Sequence, residues 1–116
     1  MSYDLEIGVK VAGAENLYTR IAEPEYAHPT YNLGKMFRAC TKWDYNQSEW
    51  YKCSDVIGNI ENGIRELYLN RKEYEQYEPE NGWGTINSAI RDLESLRDCV
   101  YEQAEYIPIE LLYVRW

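Results

Sequence analysis

The 116-residue chain has few of the residues on which catalysis and metal binding usually depend. It contains a single histidine, His28, with no Cys, Asp or Glu at ligand spacing on a regular element. A general base needs a positioned proton donor or nucleophile within hydrogen-bond reach, and the pattern indicates none. We therefore expect no catalytic residue, no metal site and no cofactor. An enzyme built on His28 and neighbouring carboxylates is retained as one alternative.

Cysteine is scarce as well. Cys40, Cys53 and Cys99 are an odd number without a Cys-x-x-Cys pair, which fits neither a disulfide framework nor a zinc ribbon. All three fall on or beside apolar faces of predicted helices, where a free cysteine behaves as a small hydrophobic residue. We expect them to be reduced.

Long apolar runs are missing. No run approaches the roughly 18 consecutive apolar residues that a membrane span requires, and the first residues carry no basic or apolar signal segment. We expect no membrane association and a cytoplasmic location. The hydrophobic content of 45% is arranged periodically, which argues against disorder and predicts a single domain over residues 1–116.

Basic residues are outnumbered by acidic ones, 12 to 20, giving a formal charge of −8. Affinity for nucleic acid comes largely from Lys and Arg displacing counterions from phosphates, so the charge predicts no direct binding of nucleic acid. It favours a basic protein partner instead. The alternative is that the acidity only keeps a small protein in solution.

Two segments show helical periodicity. Apolar residues recur every three or four positions from Val56 to Tyr74 and again from Ile86 to Ala104. Ser54 and Thr85 are positioned to cap the two helices. Residues 79–85, rich in Gly and Asn, supply a turn between them, so the pattern predicts a helical hairpin.

Strand patterns lie at both ends of the chain. Residues 3–11 and 17–22 alternate between apolar and polar and predict a β-hairpin. Residues 107–116 are apolar on both faces, which predicts a strand that is central in the sheet or covered by a partner. If its Trp116 face were exposed, it would favour a homodimer.

A third helix is predicted from the cap Asn32 onward, with Leu33, Met36, Phe37 and Cys40 on its apolar face. The expected fold is therefore an α+β domain. A small antiparallel sheet, formed by the N-terminal hairpin and the C-terminal strand returning beside the first strand, packs against three helices that include the helical hairpin.

The first candidate site is acidic. Residues 73–80 contain four acids and no base at the end of a predicted helix, where each carboxylate costs on the order of 0.3–1 kcal/mol at low salt. Such a run, with aromatic neighbours, is typical of a contact surface. Alternatively the helix ends near residues 70–72 and the run is only solvated charge. The predicted partner-binding residues are Glu73, Tyr74, Glu75, Tyr77, Glu78, Glu80 and Trp83.

The second candidate site is aromatic. Four aromatic residues fall within residues 43–51, flanked by Lys42 and Lys52, and such a segment can stack sugars or nucleotides. Alternatively it packs over its own core as a loop, with the polar ring tips in water. The residues of this small-ligand hypothesis are Trp43, Tyr45, Trp50 and Tyr51.

Three tracts, residues 1–7, 29–37 and 81–85, resemble small proteins encoded by phage and prophage genomes. No catalytic residues are agreed for those proteins, so none transfers to this chain. The resemblance implies a context inside an infected host cell. It also implies inhibition of host defence, as by anti-CRISPR proteins, through covering a basic nucleic-acid channel. A phage structural or assembly component is the other expectation from this context.

Overall fold

The computed structural model describes all 116 residues and has one antiparallel four-stranded sheet together with four α-helices. The strands are Glu6–Lys10 (β1), Tyr18–Ala22 (β2), Trp50–Lys52 (β3) and Leu112–Arg115 (β4). The helices are Gly34–Thr41 (α1), Cys53–Leu69 (α2), Arg71–Tyr74 (α3) and Ile86–Ala104 (α4). Short 3-10 turns span Tyr31–Leu33, Glu75–Tyr77 and Ile109–Leu111. The predicted α+β class is confirmed.

The sheet has the strand order β2-β1-β4-β3. Ile7 lies opposite Val114, so the terminal strand returns beside the first strand, as predicted, and occupies a central position. Its neighbour on the other side, β3, was not predicted, because the whole aromatic segment was interpreted as a loop. Three residues are too few for alternation to be recognised, and pairing with β4 decides the conformation.

One hydrophobic cluster of 24 buried residues fills the space between the sheet and the helices. On the inner face of the sheet, Ile7, Leu112 and Val114 are completely buried. Trp116 continues this face and is only 1% exposed, since it packs among Tyr3, Phe37, Trp43 and Tyr45. The Trp116 face, whose exposure would have favoured a homodimer, is therefore covered within the chain itself.

Helices α2 and α4 form the predicted antiparallel hairpin. The Tyr68 hydroxyl donates to Oε2 of Glu94 at 3.2 Å, and the Tyr101 hydroxyl donates to the carboxylate of Glu61. Helix α1 packs on α2 at Gly63, where a Cβ would lie 2.7 Å from the Thr41 Cγ2 atom. Glycine is required there because the two helices approach so closely.

The caps of the helices differ in part from the predictions. Thr85 caps α4, and its hydroxyl accepts from the Ser88 N–H at 3.1 Å in a reciprocal capping box. Ser54 does not cap α2, because the helix already begins at Cys53. Asn32 does not cap the third helix either: the Thr30 hydroxyl accepts from the Asn32 N–H and starts the 3-10 turn that leads into α1.

We expect Thr85→Ala to lower the free energy of unfolding by about 1 kcal/mol, because the first turn of α4 loses an acceptor for its free N–H groups. Ser54→Ala is the matched control and is expected to change stability by less than about 0.5 kcal/mol. Urea unfolding followed by circular dichroism measures both. Equal effects of the two substitutions would contradict the assigned cap.

None of the helices combines the length and the apolar character needed to cross a membrane.

Candidate functional site

The acidic segment does not continue the long helix, so of the two alternatives that the sequence left open, the early helix end near residues 70–72 is the one observed. Helix α2 ends at Leu69, because Asn70 leaves the helical conformation at φ −120° and ψ 36°. The side-chain amide of Asn70 donates to Oε2 of Glu66 at 2.5 Å. A separate short helix begins at Arg71, and Glu73 lies in its first turn. The destabilisation expected from carboxylates at the C-terminal end of a long helix is therefore absent.

The predicted contact residues separate by exposure. Glu73, Glu75, Glu80 and Trp83 are exposed, and we call these four the acidic tip. Trp83 is 70% exposed, which is unusual for so large an apolar ring. None of the three carboxylates takes part in an ion pair within the chain.

The other three predicted contact residues have structural roles. Tyr74 is 6% exposed and belongs to the core, and its burial raises the pKa of the phenol to about 12. Tyr77 is half-buried beside it, with ring centroids 6.1 Å apart. Oε2 of Glu78 accepts from the Ile86 N–H at 3.1 Å, so this carboxylate satisfies a free amide at the start of α4.

A groove of about 560 Å³ borders the acidic tip. One wall comes from Tyr77 and from Glu80 in the hinge, which is residues 79–85. The other wall comes from Tyr31 in the 3-10 turn before α1 and from Lys35 at the start of α1. Gly84, at φ +113°, lets the hinge approach the 3-10 turn before α1, because a Cβ there would lie 2.9 Å from the Leu33 side chain. The hinge is thus fixed against the core even though its acidic side chains are exposed.

The residues of the aromatic candidate site point to two different sides of the sheet. Trp43, Tyr45 and Tyr51 lie on the inner side, where Trp43 packs edge-on against both tyrosines at 5.4 and 5.0 Å. Tyr45 is 2% exposed, and its hydroxyl donates to the Tyr3 hydroxyl at 2.7 Å. The pKa of Tyr45 is raised, mainly by burial and secondly by this hydrogen bond. Its ring is therefore a core element with no face open to a ligand.

Trp50 lies on the opposite, outer side of the sheet, because successive residues of β3 alternate in direction. There it stacks on Tyr18 at 5.2 Å with an interplanar angle of 14°, and Tyr113 packs edge-on against Tyr18 at 4.9 Å. We call Tyr18, Trp50 and Tyr113 the outer aromatic cluster. The sequence pattern missed this cluster, because its members come from three distant segments that only the strand register brings together.

His28 has a single side-chain partner in the fold. Its Nδ1 atom lies 3.0 Å from Oδ1 of Asp4 and 3.4 Å from the Tyr3 carbonyl, and both side chains of the pair are largely exposed. Its hydrogen bonds connect it to no hydroxyl or thiol that it would activate, so the geometry adds no support for the enzyme alternative.

The three cysteines are free and buried. Burial raises the pKa of Cys40 and of Cys53 to about 12 and that of Cys99 to about 11. The nucleophilic thiolate is therefore suppressed at neutral pH. No group of three or more His, Cys, Asp or Glu side chains is arranged to hold a metal ion.

Asp92 is the only buried carboxylate, and the sequence pattern did not indicate its burial. It is 2% exposed on the inner face of α4, and its Oδ1 atom accepts from Arg91 Nη2 at 3.1 Å. Burial raises the pKa of Asp92 to about 6, and the Arg91 guanidinium only partly offsets this effect. Arg91 itself stacks over the Tyr26 ring at 4.2 Å, which fixes the guanidinium beside the groove between α4 and residues 25–26.

Comparisons with known proteins add no family to these observations: no family model matches the chain, and neither the curated proteins nor the solved structures give a significant match.

Proposed function

We propose that this chain is a phage-encoded binding protein, not an enzyme, that acts in the cytoplasm of the host cell. Its acidic tip occupies a basic surface of a host defence or nucleic-acid-handling protein and excludes the nucleic acid that would otherwise bind there. The observation that carries this proposal is the exposure of Trp83 within eleven residues of three exposed carboxylates that form no ion pair in their own chain.

The chemistry of the acidic tip fits a basic partner. Carboxylates without intramolecular cations are free to pair with Lys or Arg of another protein, and complementary charge accelerates association. An exposed tryptophan supplies the apolar anchor that interface hot spots commonly contain. The hinge beneath is held by the Glu78 cap and the close packing of Gly84, so little conformational entropy is lost on binding.

We expect the combined substitutions Glu73→Gln, Glu75→Gln and Glu80→Gln to weaken partner binding by roughly tenfold or more, because three unpaired carboxylates lose their charge. Trp83→Ala alone is expected to cost 1 kcal/mol or more, about fivefold in affinity. The tagged protein is used to capture its partner from host extract, and the affinity of the purified partner is then measured for each variant.

The matched control replaces Glu102, Glu105 and Glu110 with Gln. These exposed residues change the net charge by the same amount. They lie at or beyond the far end of α4, which is about 28 Å long. If both triple variants lose affinity for the partner to the same extent, net charge alone governs binding. In that case, or if neither variant loses affinity, the acidic tip is not the contact surface.

A further inference from the structure

The outer aromatic cluster forms a second, separate apolar surface. None of its three rings belongs to the main core or is packed against it. All three are only partly buried, so ring surface remains accessible to solvent. No helix lies over this face, since the helices pack on the side that buries Ile7 and Val114.

Gly8 provides the space for this cluster. A Cβ at Gly8 would lie 2.8 Å from two ring carbons of Trp50 and 2.6 Å from the Thr19 carbonyl oxygen. Any larger residue would push the indole off the sheet. The absence of a side chain at the centre of β1 lets Trp50 reach across two strands to stack on Tyr18.

Cations surround the three rings. Cross-strand partners share a face, and the register places Lys10 opposite Tyr18, Lys52 opposite Tyr113 and Arg115 opposite Trp50. Arg20, opposite Gly8, adds a fourth positive charge. The outer face of a chain with a net charge of −8 is therefore locally basic.

Two carboxylates partly neutralise this face. Glu6 lies 3.7 Å from Arg20 and 3.6 Å from Arg115, and Glu23 also contacts Arg20. No ion pair of the chain involves Lys10 or Lys52, which remain exposed on either side of the rings. Four positive against two negative charges leave an excess of positive charge.

We propose that this outer face binds single-stranded nucleic acid, with bases stacking against Tyr18 and Trp50 and phosphates contacting Lys10 and Lys52. Unpaired bases offer flat apolar faces to aromatic rings, and phosphates offer negative charge to lysines that have no ion-pair partner in the chain. A duplex keeps its base faces inside the stack, so it gives the rings nothing to contact. This assignment is independent of the acidic tip and goes beyond the function proposed for it.

The overall negative charge does not prevent such binding. At physiological salt the Debye length is about 8 Å, and the molecule extends 46 Å along its longest axis. Carboxylates on distant surfaces are therefore largely screened, and the local charge of the outer face determines whether it attracts phosphates. The prediction from composition, that nucleic acid is not bound directly, rested on the charge summed along the chain, whereas the strand register concentrates cations on one face.

The test is fluorescence anisotropy with labelled oligothymidylate and oligouridylate of roughly twelve nucleotides, titrated with the full-length protein at low salt. We expect saturable binding that weakens with salt. Lys10→Glu together with Lys52→Glu is expected to weaken it by tenfold or more. The slope of log K against log salt should fall by about 1.4, since each phosphate contact contributes about 0.7 for single strands.

Tyr18→Ala tests stacking separately from charge. We expect it to weaken binding by roughly fivefold to a hundredfold, which is the effect of losing one stacked base on an aromatic ring. Because β2 is an edge strand and Tyr18 lies outside the core, we expect the fold to tolerate this change. Circular dichroism verifies folding. Lys35→Glu with Lys72→Glu is the charge-matched control and should leave binding unchanged, as should the Gln variants of the acidic tip.

Three outcomes would overturn the assignment. The first is no binding of either oligonucleotide at low salt. The second is an equal loss of affinity in the lysine control, which would indicate non-specific attraction. The third is binding that Tyr18→Ala leaves unchanged and that duplex DNA competes for equally, which would indicate a polyanion site without stacking.

Discussion

Replacing Trp116 with alanine is expected to lower the free energy of unfolding by about 3–5 kcal/mol. The indole is almost completely buried, and four aromatic rings surround it with centroids between 4.8 and 6.0 Å away. These rings come from the N-terminal segment, α1 and the segment before β3. The cavity left by the substitution cannot be closed by the movement of one element alone. For a domain of this size the loss is a large part of the whole stability, which is typically 5–15 kcal/mol.

Trp83→Ala is the matched control, because it removes the same side chain from an exposed position. We expect it to change stability by less than about 0.5 kcal/mol. Chemical unfolding followed by circular dichroism measures both variants. A loss below about 1 kcal/mol for Trp116→Ala would contradict the packing described for the C-terminal strand.

Replacing Asp92 with asparagine is expected to stabilise the protein at neutral pH by up to about 3 kcal/mol and to have little effect near pH 4. The folded-state pKa of Asp92, about 6, lies above its ordinary value of 3.8, so the folded protein binds the extra proton between these values. The contribution of Asp92 is therefore fully present below about pH 4 and is lost as pH rises through about 6. An asparagine keeps an acceptor for Arg91 and carries no charge to bury.

Asp98→Asn is the control for this prediction. Asp98 also follows an arginine on α4 and accepts from Arg97 at 3.0 Å, but it is exposed. We expect no comparable pH-dependent gain. Urea unfolding at several pH values between 4 and 8 measures the difference between each variant and the wild type. A gain for Asp92→Asn that does not grow with pH would show that the buried carboxylate is already ionised at little cost.

Much of the fold follows from local patterns. Helical periodicity between Val56 and Leu67 and again over Ile86–Val100 identified residues that the structure buries. Thr85 was predictable as a cap because it precedes the second pattern directly. The apolar character of residues 107–116 on both faces indicated a strand that is central or covered by a partner. The strand is central, but it is shorter, Leu112–Arg115, because Ile109–Leu111 forms a 3-10 turn.

The remaining features depend on tertiary contacts. β3 is too short to carry a pattern and exists because β4 offers it a partner. α2 ends at Leu69, and the sequence offered an end near residues 70–72 only as an alternative, because no Gly or Pro marks a break there. Tyr74 fits both an apolar stripe and a contact surface by its chemistry, and only its position over Glu66 and the core assigns it to the interior.

The candidate surfaces were predictable to different extents. The exposed acids and Trp83 could be identified because they cluster within eleven residues. The outer aromatic cluster could not, because Tyr18, Trp50 and Tyr113 are far apart in the sequence and meet only through the strand register. Charge summed over the chain also conceals the basic face, because a total of −8 does not reveal where the cations lie.

The central claim is that the acidic tip excludes nucleic acid from a basic partner, and displacement of labelled nucleic acid from the captured partner tests it most directly. The Lys10→Glu, Lys52→Glu protein is used, so that its own sheet face does not bind the probe. We predict that this protein releases the nucleic acid at stoichiometric concentrations and that adding the Gln substitutions at Glu73, Glu75 and Glu80 abolishes release. A ternary complex in which the partner holds both this protein and nucleic acid would contradict the claim.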